Sequence, residues 1–188
     1  VGTVAWTNPA NAGVSDNVYA TAATTNGVTT HYLNAQNCGF AIPSDARIDG
    51  IAVSIERKSS GANQLDVRAR IIKGGAIHTT GPFVNPEVLP LADAVEVYGG
   101  ASDLWGLPWT PADINGSGFG FALAVRQAGG AGQTASVDAI SITVYYTRPG
   151  DTQVTVVKFR SPRPPPGALL TLLVPALRYG FKVRGQQT

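Results

Sequence analysis

One cysteine, two histidines and no methionine in 188 residues leave this sequence poor in the side chains from which most catalytic and metal sites are built. A single cysteine, Cys38, excludes an internal disulfide framework and is compatible with folding in the cytoplasm. A zinc site needs three or four convergent nitrogen or sulfur ligands. His31 and His78 have no such neighbours at ligand spacing, so both read as strand or surface residues. Cys38 lies beside Gly39-Phe40 in an apolar stretch and reads as a buried thiol; a nucleophilic one needs a histidine partner and an electropositive setting. Gly-x-Ser-x-Gly and P-loop motifs are absent, and Gly116-Ser117-Gly118-Phe119-Gly120 is a glycine turn entering a strand, not a phosphate cradle. Asp16, Asp45, Asp49, Asp103, Asp113 and Asp138 could supply calcium oxygens, but no Asp-x-Asp-x-Asp-Gly loop gathers them. Asp103 and Asp113 are expected to cap turns, and Asp16 and Asp138 to bond backbone inside the fold. The expectation is a non-enzyme with no catalytic residues, no cofactor and no metal.

Charge is scarce too. Charged residues make up 14% of the chain, against the usual quarter. The net charge of +2 is too small to argue for nucleic acid. The longest apolar run, Ala168 to Leu177, is broken by Thr171 and Pro175 and falls far below the roughly 20 residues of a spanning helix, so no membrane partner is expected. The start has neither the basic nor the apolar region of a signal peptide. With no methionine, the chain is expected to have lost its initiator or to have been processed.

What is abundant is alternation. Ile51, Val53 and Ile55 share one face of a run from Ile48 to Arg57. Leu65 to Ile71, Phe119 to Arg126 and Ser136 to Tyr146 repeat the period of two. Shorter strands are expected at Thr3–Trp6, Thr29–Leu33, Cys38–Ile42 and Ala76–Phe83. Gly- and Ser-rich breaks separate the runs, and helical periodicity is nearly absent. The predicted fold is all-β: an antiparallel β-sandwich of jelly-roll type over residues 1–148, followed by an extended C-terminal arm over 149–188. Val53, Ile55, Val67, Phe121, Leu123, Ile140, Ile142 and Val144 are the predicted core. Tyr98 to Asn115 reads as a long structured connection containing one helical turn, with Thr110 as N-cap and Pro111 at the first helical position.

Several short motifs occur in a fixed order: Trp6-x-Asn8-Pro9, Asp16-x-x-Tyr19-Ala20, Tyr32-Leu33, Gly39-Phe40-x-Ile42-Pro43, Ile48-x-Gly50-Ile51-x-Val53, Tyr98-Gly99-Gly100, Asp103-Leu104-Trp105-Gly106, Phe119-Gly120 and Val137-Asp138-x-Ile140-x-Ile142-x-Val144-x-Tyr146. In that order they resemble a β-sandwich module of tailed-bacteriophage virion structural proteins. The resemblance spans about Trp6 to Tyr146. It implies a structural protein of a phage head or tail, located in the virion, assembled in the host cytoplasm and partnered by other virion proteins such as the major capsid protein or tail proteins.

The segment after Pro149 has no counterpart in that resemblance and is read from its own residues. From Gly150 it carries six Lys or Arg against one acid, whereas the remainder carries eight against eleven. Ser161-Pro162-Arg163-Pro164-Pro165-Pro166-Gly167 reads as an extended spacer. Beyond it, Leu169, Leu170, Leu172, Leu173, Val174, Leu177, Arg178, Tyr179, Phe181, Lys182 and Arg184 are the predicted partner-binding residues. Such a segment cannot close a core by itself. Its interleaved apolar and basic side chains suit a groove on another protein better than a phosphate backbone. Val154–Phe159 is a further strand, either within the arm or added to a neighbour's sheet.

Tyr98, Trp105 and Trp109 could stack on sugars as a glycan platform; their size favours burial instead. The function read from the sequence is a non-enzymatic virion structural protein. Within that class it is a capsid decoration or cement protein, expected to be homo-oligomeric and anchored to neighbouring subunits by its arm. The alternatives are a tail or fibre component, and a carbohydrate-binding β-sandwich using the Tyr98–Trp109 loop.

Overall fold

The computed structural model describes residues 2–79 and 87–160, the side chains of 65–67 and 160 excepted. Among these the chain forms β1 (Ala20–Thr24), β2 (Leu33–Gln36), β3 (Arg47–Ser59), β4 (Gln64–Lys73), β5 (Ala76–Ile77), β6 (Glu87–Val88), β7 (Ala94–Gly100), α1 (Pro111–Asn115), β8 (Gly120–Gln127), β9 (Gln133–Thr147) and β10 (Thr155–Arg160). One sheet has the order β1-β9-β3-β7, with β10 also on β9; the other has the order β2-β8-β4-β5, with β6 also on β4. All of these pairings are antiparallel. Strands β1 to β4 alternate between the two sheets, and β7, β8 and β9 do so again. This is the double Greek key of a jelly roll, as the alternation in sequence predicted.

The core follows from the period of two. Val53 and Ile55 on β3, Phe121 and Leu123 on β8, and Ile140, Ile142 and Val144 on β9 are buried between the sheets. The side chain of Val67 lies outside the description. Strand β9 pairs with β3 along one side. Along its other side it takes β1 against Gln133–Val137 and β10 against Ser141–Tyr146, so two short strands share one edge end to end.

Four expectations change. Thr29–Leu33 is not one strand: Thr29 and Thr30 make isolated bridges, to Arg126 and Val4, and only Leu33 enters β2. Cys38–Ile42 is buried at Cys38, Phe40 and Ile42 but is not a strand. The Asn115 side chain accepts from Ile42 N and donates to Ile42 O, both at 2.8 Å, and so occupies the groups a ladder would use. Thr3–Trp6 contributes only an isolated bridge, Val4 to Thr30. The connection before α1 begins with a strand, since Tyr98 belongs to β7. Helix α1 itself starts as predicted. Thr110 Oγ1 accepts from Asp113 N at 3.2 Å, and Asp113 Oδ2 accepts from Thr110 N at 2.8 Å, a reciprocal cap that satisfies two N-terminal donors.

Both ends of the sandwich are closed, by different chemistry. At one end Trp109 meets Phe119 edge-on at 5.4 Å, and Phe40 packs on both Phe119 and Phe159. At the other, buried Gln64 donates to Thr24 Oγ1 at 2.9 Å and accepts from Ser59 Oγ at 2.9 Å, while Gln127 donates to the carbonyls of the Gly129–Ala131 turn. Buried amides are tolerated there because each finds partners.

Leu123 sits fully buried at the centre of β8. Leu123→Ala should destabilise the domain by about 2–5 kcal/mol in a denaturant titration. A change below half a kcal/mol, on the order of a surface substitution, would contradict the assigned core.

Candidate functional site

The sheet β1-β9-β3-β7 presents exposed apolar side chains on its outer face. Parity fixes which residues it presents. Tyr98 is tied inward by stacking on Phe121 at 6.5 Å. Val95 and Val97, one and three residues earlier on β7, therefore point outward, at 59% and 52% exposure. Between the two edges the outer face is floored by small residues: Ala52 and Ser54 on β3, and Ala139, Ser141 and Thr143 on β9. On the far edge Val156 of β10 is 49% exposed, as is Val154 just before it. Exposed valines thus flank both margins of one face. Val95 and Val97 lie on one margin and Val154 and Val156 on the other, with the small residues of β3 and β9 between them.

A shallow depression of about 90 Å³ lies on this face, lined by Ser15, Ser54, Glu56, Val95, Ala139, Ser141 and Lys158. Small-molecule sites enclose roughly 300–1,000 Å³, so the face suits a broad contact rather than a small ligand. Sequence reading missed Val95 and Val97. The available signal was the alternation Val95-Glu96-Val97-Tyr98, in which placing Tyr98 inside puts both valines outside.

Strand β10 bears directly on the predicted arm. It pairs with β9 of its own chain, from Thr155 opposite Tyr146 to Arg160 opposite Ser141. Val157 and Phe159 turn inward against the core, and Phe159 lies 6.0 Å from Phe40. Of the two readings of Val154–Phe159, addition to a neighbour's sheet is replaced by addition to its own, because these inward side chains complete the core beside Phe40. The sheet therefore takes in residues beyond Arg148. Leu169, Leu170, Leu172, Leu173, Val174, Leu177, Arg178, Tyr179, Phe181, Lys182 and Arg184 lie outside the described residues, as does Phe83.

The aromatic loop is a correction to the glycan platform. Tyr98 is 5% and Trp105 is 1% exposed, so neither ring offers a face to a sugar. Trp105 Nε1 donates to Ile51 O at 2.9 Å, and its ring meets Phe121 edge-on at 6.1 Å. Its backbone is left-handed, with φ 57°, held there by Asp103 Oδ1 accepting from Trp105 N at 2.7 Å. Gly99 opposite must lack a side chain, since a Cβ there would lie 2.2 Å from Ile51 O and 2.8 Å from the Trp105 indole nitrogen. Trp109 is half-buried. Its Nε1 donates to Leu104 O at 2.8 Å and the Lys73 ammonium lies 5.1 Å from its ring centroid.

The remaining polar candidates have structural roles. Asp138 is buried and accepts from Asp16 N at 3.3 Å and Asn17 N at 3.1 Å, pinning the segment before β1. Burial pushes the Cys38 thiol up to about 12, which keeps it protonated and a poor nucleophile. Among the described residues, no three His, Cys, Asp or Glu side chains gather at metal-binding distance. Burial would raise the Asp113 carboxyl, but the Thr110 N–H and hydroxyl and the Lys73 ammonium at 3.1 Å outweigh it and hold it below the ordinary carboxylate range.

No protein-family model matches the sequence, and no curated protein matches it significantly. A solved structure described as "CBM4 structure and function" is similar over 69% of this chain and 85% of its own, at 16% identity and a TM-score of 0.38. A likeness at that level carries no functional argument.

Two outcomes follow. Trp105→Ala should cost about 3–5 kcal/mol and leave the signals on a glycan array unchanged; a stable variant that loses glycan binding would overturn the core assignment. The Asp113 pKa is lower folded than unfolded. Its stabilisation is therefore complete above about pH 4 and is lost as pH falls through the lower folded value. Asp113→Asn should remove that part of the acid transition, read from thermal melts across the acid range. An acid limb unchanged in the variant would show that the Thr110 and Lys73 contacts do not stabilise the carboxylate.

Proposed function

We propose that this chain is a non-enzymatic structural subunit of a virion, a capsid decoration protein whose jelly-roll body is held to neighbouring subunits by the residues beyond Arg160. The observation that carries the reading is β10. It ties residues 155–160 to the sheet edge beside the valine-flanked face, and the basic, proline-rich sequence follows directly after it. The ordered motifs from Trp6 to Tyr146 support the virion assignment, and the shallow depression on the valine-flanked face suits contact between proteins. Leu169, Leu170, Leu172, Leu173 and Val174 supply apolar contact, while Arg178, Lys182 and Arg184 add salt-sensitive attraction and specificity.

Strand β10 also fixes where the chain can be cut. A protein ending at Arg148 loses the ladder along Ser141–Tyr146 together with Val157 and Phe159, worth about 1–2 kcal/mol each for half-buried side chains, and should be markedly less stable. A protein ending at Arg160 keeps the whole sheet. It should melt like the full chain yet fail to join particles that lack the protein, as scored by sedimentation and gel densitometry. Incorporation at full occupancy by the Arg160-terminated protein would overturn the reading.

A further inference from the structure

The second sheet holds an ionic asymmetry that the assembly reading does not use. Five of the described basic side chains have acidic partners: Arg47 with Asp49, Arg57 with Glu96, Lys58 with Asp93, Lys73 with Asp113, and Arg148 with Asp45. Lys158, on the outer face of the first sheet, and Arg68, Arg70 and Arg126 form no ion pair among the described residues, and the three arginines lie together on one face of the second sheet. Ala69 and Ile71 belong to the core, so Arg68 and Arg70 stand on the outer side of β4; Val125 and Leu123 are inward on β8, so Arg126 is outward. Glu87, exposed on β6, makes no ion pair with them.

The floor beneath is built for long side chains. Ala122 and Ala124 are fully buried on this outer face, and their partners across the ladder are Arg70 and Arg68. Small residues on β8 leave room for arginine stems to lie across the sheet, and Arg68 and Arg126 are exposed. Arg70 Nε is itself buried with no hydrogen-bond partner. On the other side of β8, Asn34 and Gln36 are exposed and are partners of Ala122 and Gly120.

The geometry points to this face as a docking surface for an acidic, extended protein segment. Arg68 and Arg70 are two residues apart on one strand, about 6.6–7 Å along it. Acids at alternate positions of an extended chain have the same spacing, and a guanidinium fork takes a carboxylate bidentately. The amides of Asn34 and Gln36, also two apart, suit that chain's backbone. Stacking on sugars or bases needs aromatic rings, and the outward positions of β2, β4 and β8 carry none. The chain's own basic C-terminal segment is excluded as the occupant by its sign of charge.

The test uses the full chain, isotopically labelled, titrated at low salt with a synthetic alternating Ser-Glu peptide and with its Ser-Gln counterpart. The backbone amides of Asn34, Arg70, Ala122 and Ala124 should shift with the Ser-Glu peptide only, and the shifts should vanish at high salt. Arg68→Gln with Arg126→Gln should weaken this binding about tenfold, from a few-fold loss per exposed ion pair, while the melting temperature holds. Arg68→Lys with Arg126→Lys, which keeps the charge, should recover part of it. Shifts confined to residues after Arg160, or unaltered affinity in a folded double Gln variant, would overturn the proposal. So would tighter binding of heparin or oligo-dT at the same four amides, which would assign the face to another polyanion.

Discussion

The antiparallel pairing of β9 with β3 is the constraint on which the rest of the structure depends. Arg47 to Ser59 lies against Thr147 to Ala135, with irregularities after Ile48 and Glu56. A one-residue slip in this ladder would turn Ile140, Ile142 and Val144 to solvent. With the register set, every neighbour inherits its parity. On β7, opposite β3, Tyr98 goes in and Val95 and Val97 go out. On β10, opposite β9, Val157 and Phe159 go in and Val156 and Lys158 go out. The outer face is thus a consequence of packing the core, and its exposed valines are the residues left on the wrong side of that arrangement.

Among the described residues the interior is filled by packed side chains. The largest aromatics and the buried amides fill the two ends where jelly rolls have open mouths. Trp105 is held by its indole N–H, by Asp103 at its backbone and by the absence of a side chain on Gly99. The ionic contacts divide similarly. Tyr19, Lys58 and Asp93 form a closed set, with Lys58 donating to Tyr19 Oη at 2.7 Å and pairing with Asp93 at 2.9 Å; it joins the residue before β1 to the residue before β7. Such exposed sets contribute modestly. Their use here is to hold segments; Arg68, Arg70 and Arg126 of the second sheet form no such pair among the described residues.

The long strands were legible in the sequence because both of their faces have distinct compositions. Phe119, Phe121, Leu123 and Val125 alternate with Gly or Ala, and Leu65 to Ile71 alternates with charge. Helix α1 was legible from Thr110 and Pro111 alone, since a cap is a local device. Strand β7 was not, because Glu96 lies inward toward buried Arg57 while two valines face solvent, the reverse of the usual pattern. Cys38–Ile42 misled for the opposite reason. Its alternation is genuine, but its backbone is bonded by the distant Asn115 rather than by a strand, and single-sequence periodicity carries no information about such a partner. The three arginines stand in two separate runs, so only the β4–β8 pairing brings them together.

Strand β10 joins the body to the remainder of the C-terminal segment, and the assembly reading requires that this junction be part of the monomer's own sheet. Amide hydrogen exchange on the isolated monomer tests this directly. Val157, Phe159 and their ladder neighbours on β9 should be protected to the same degree as β1, with protection independent of protein concentration. Fast exchange at residues 155–160 in the monomer, with protection gained only on association, would place that strand in a neighbouring subunit's sheet and contradict the account.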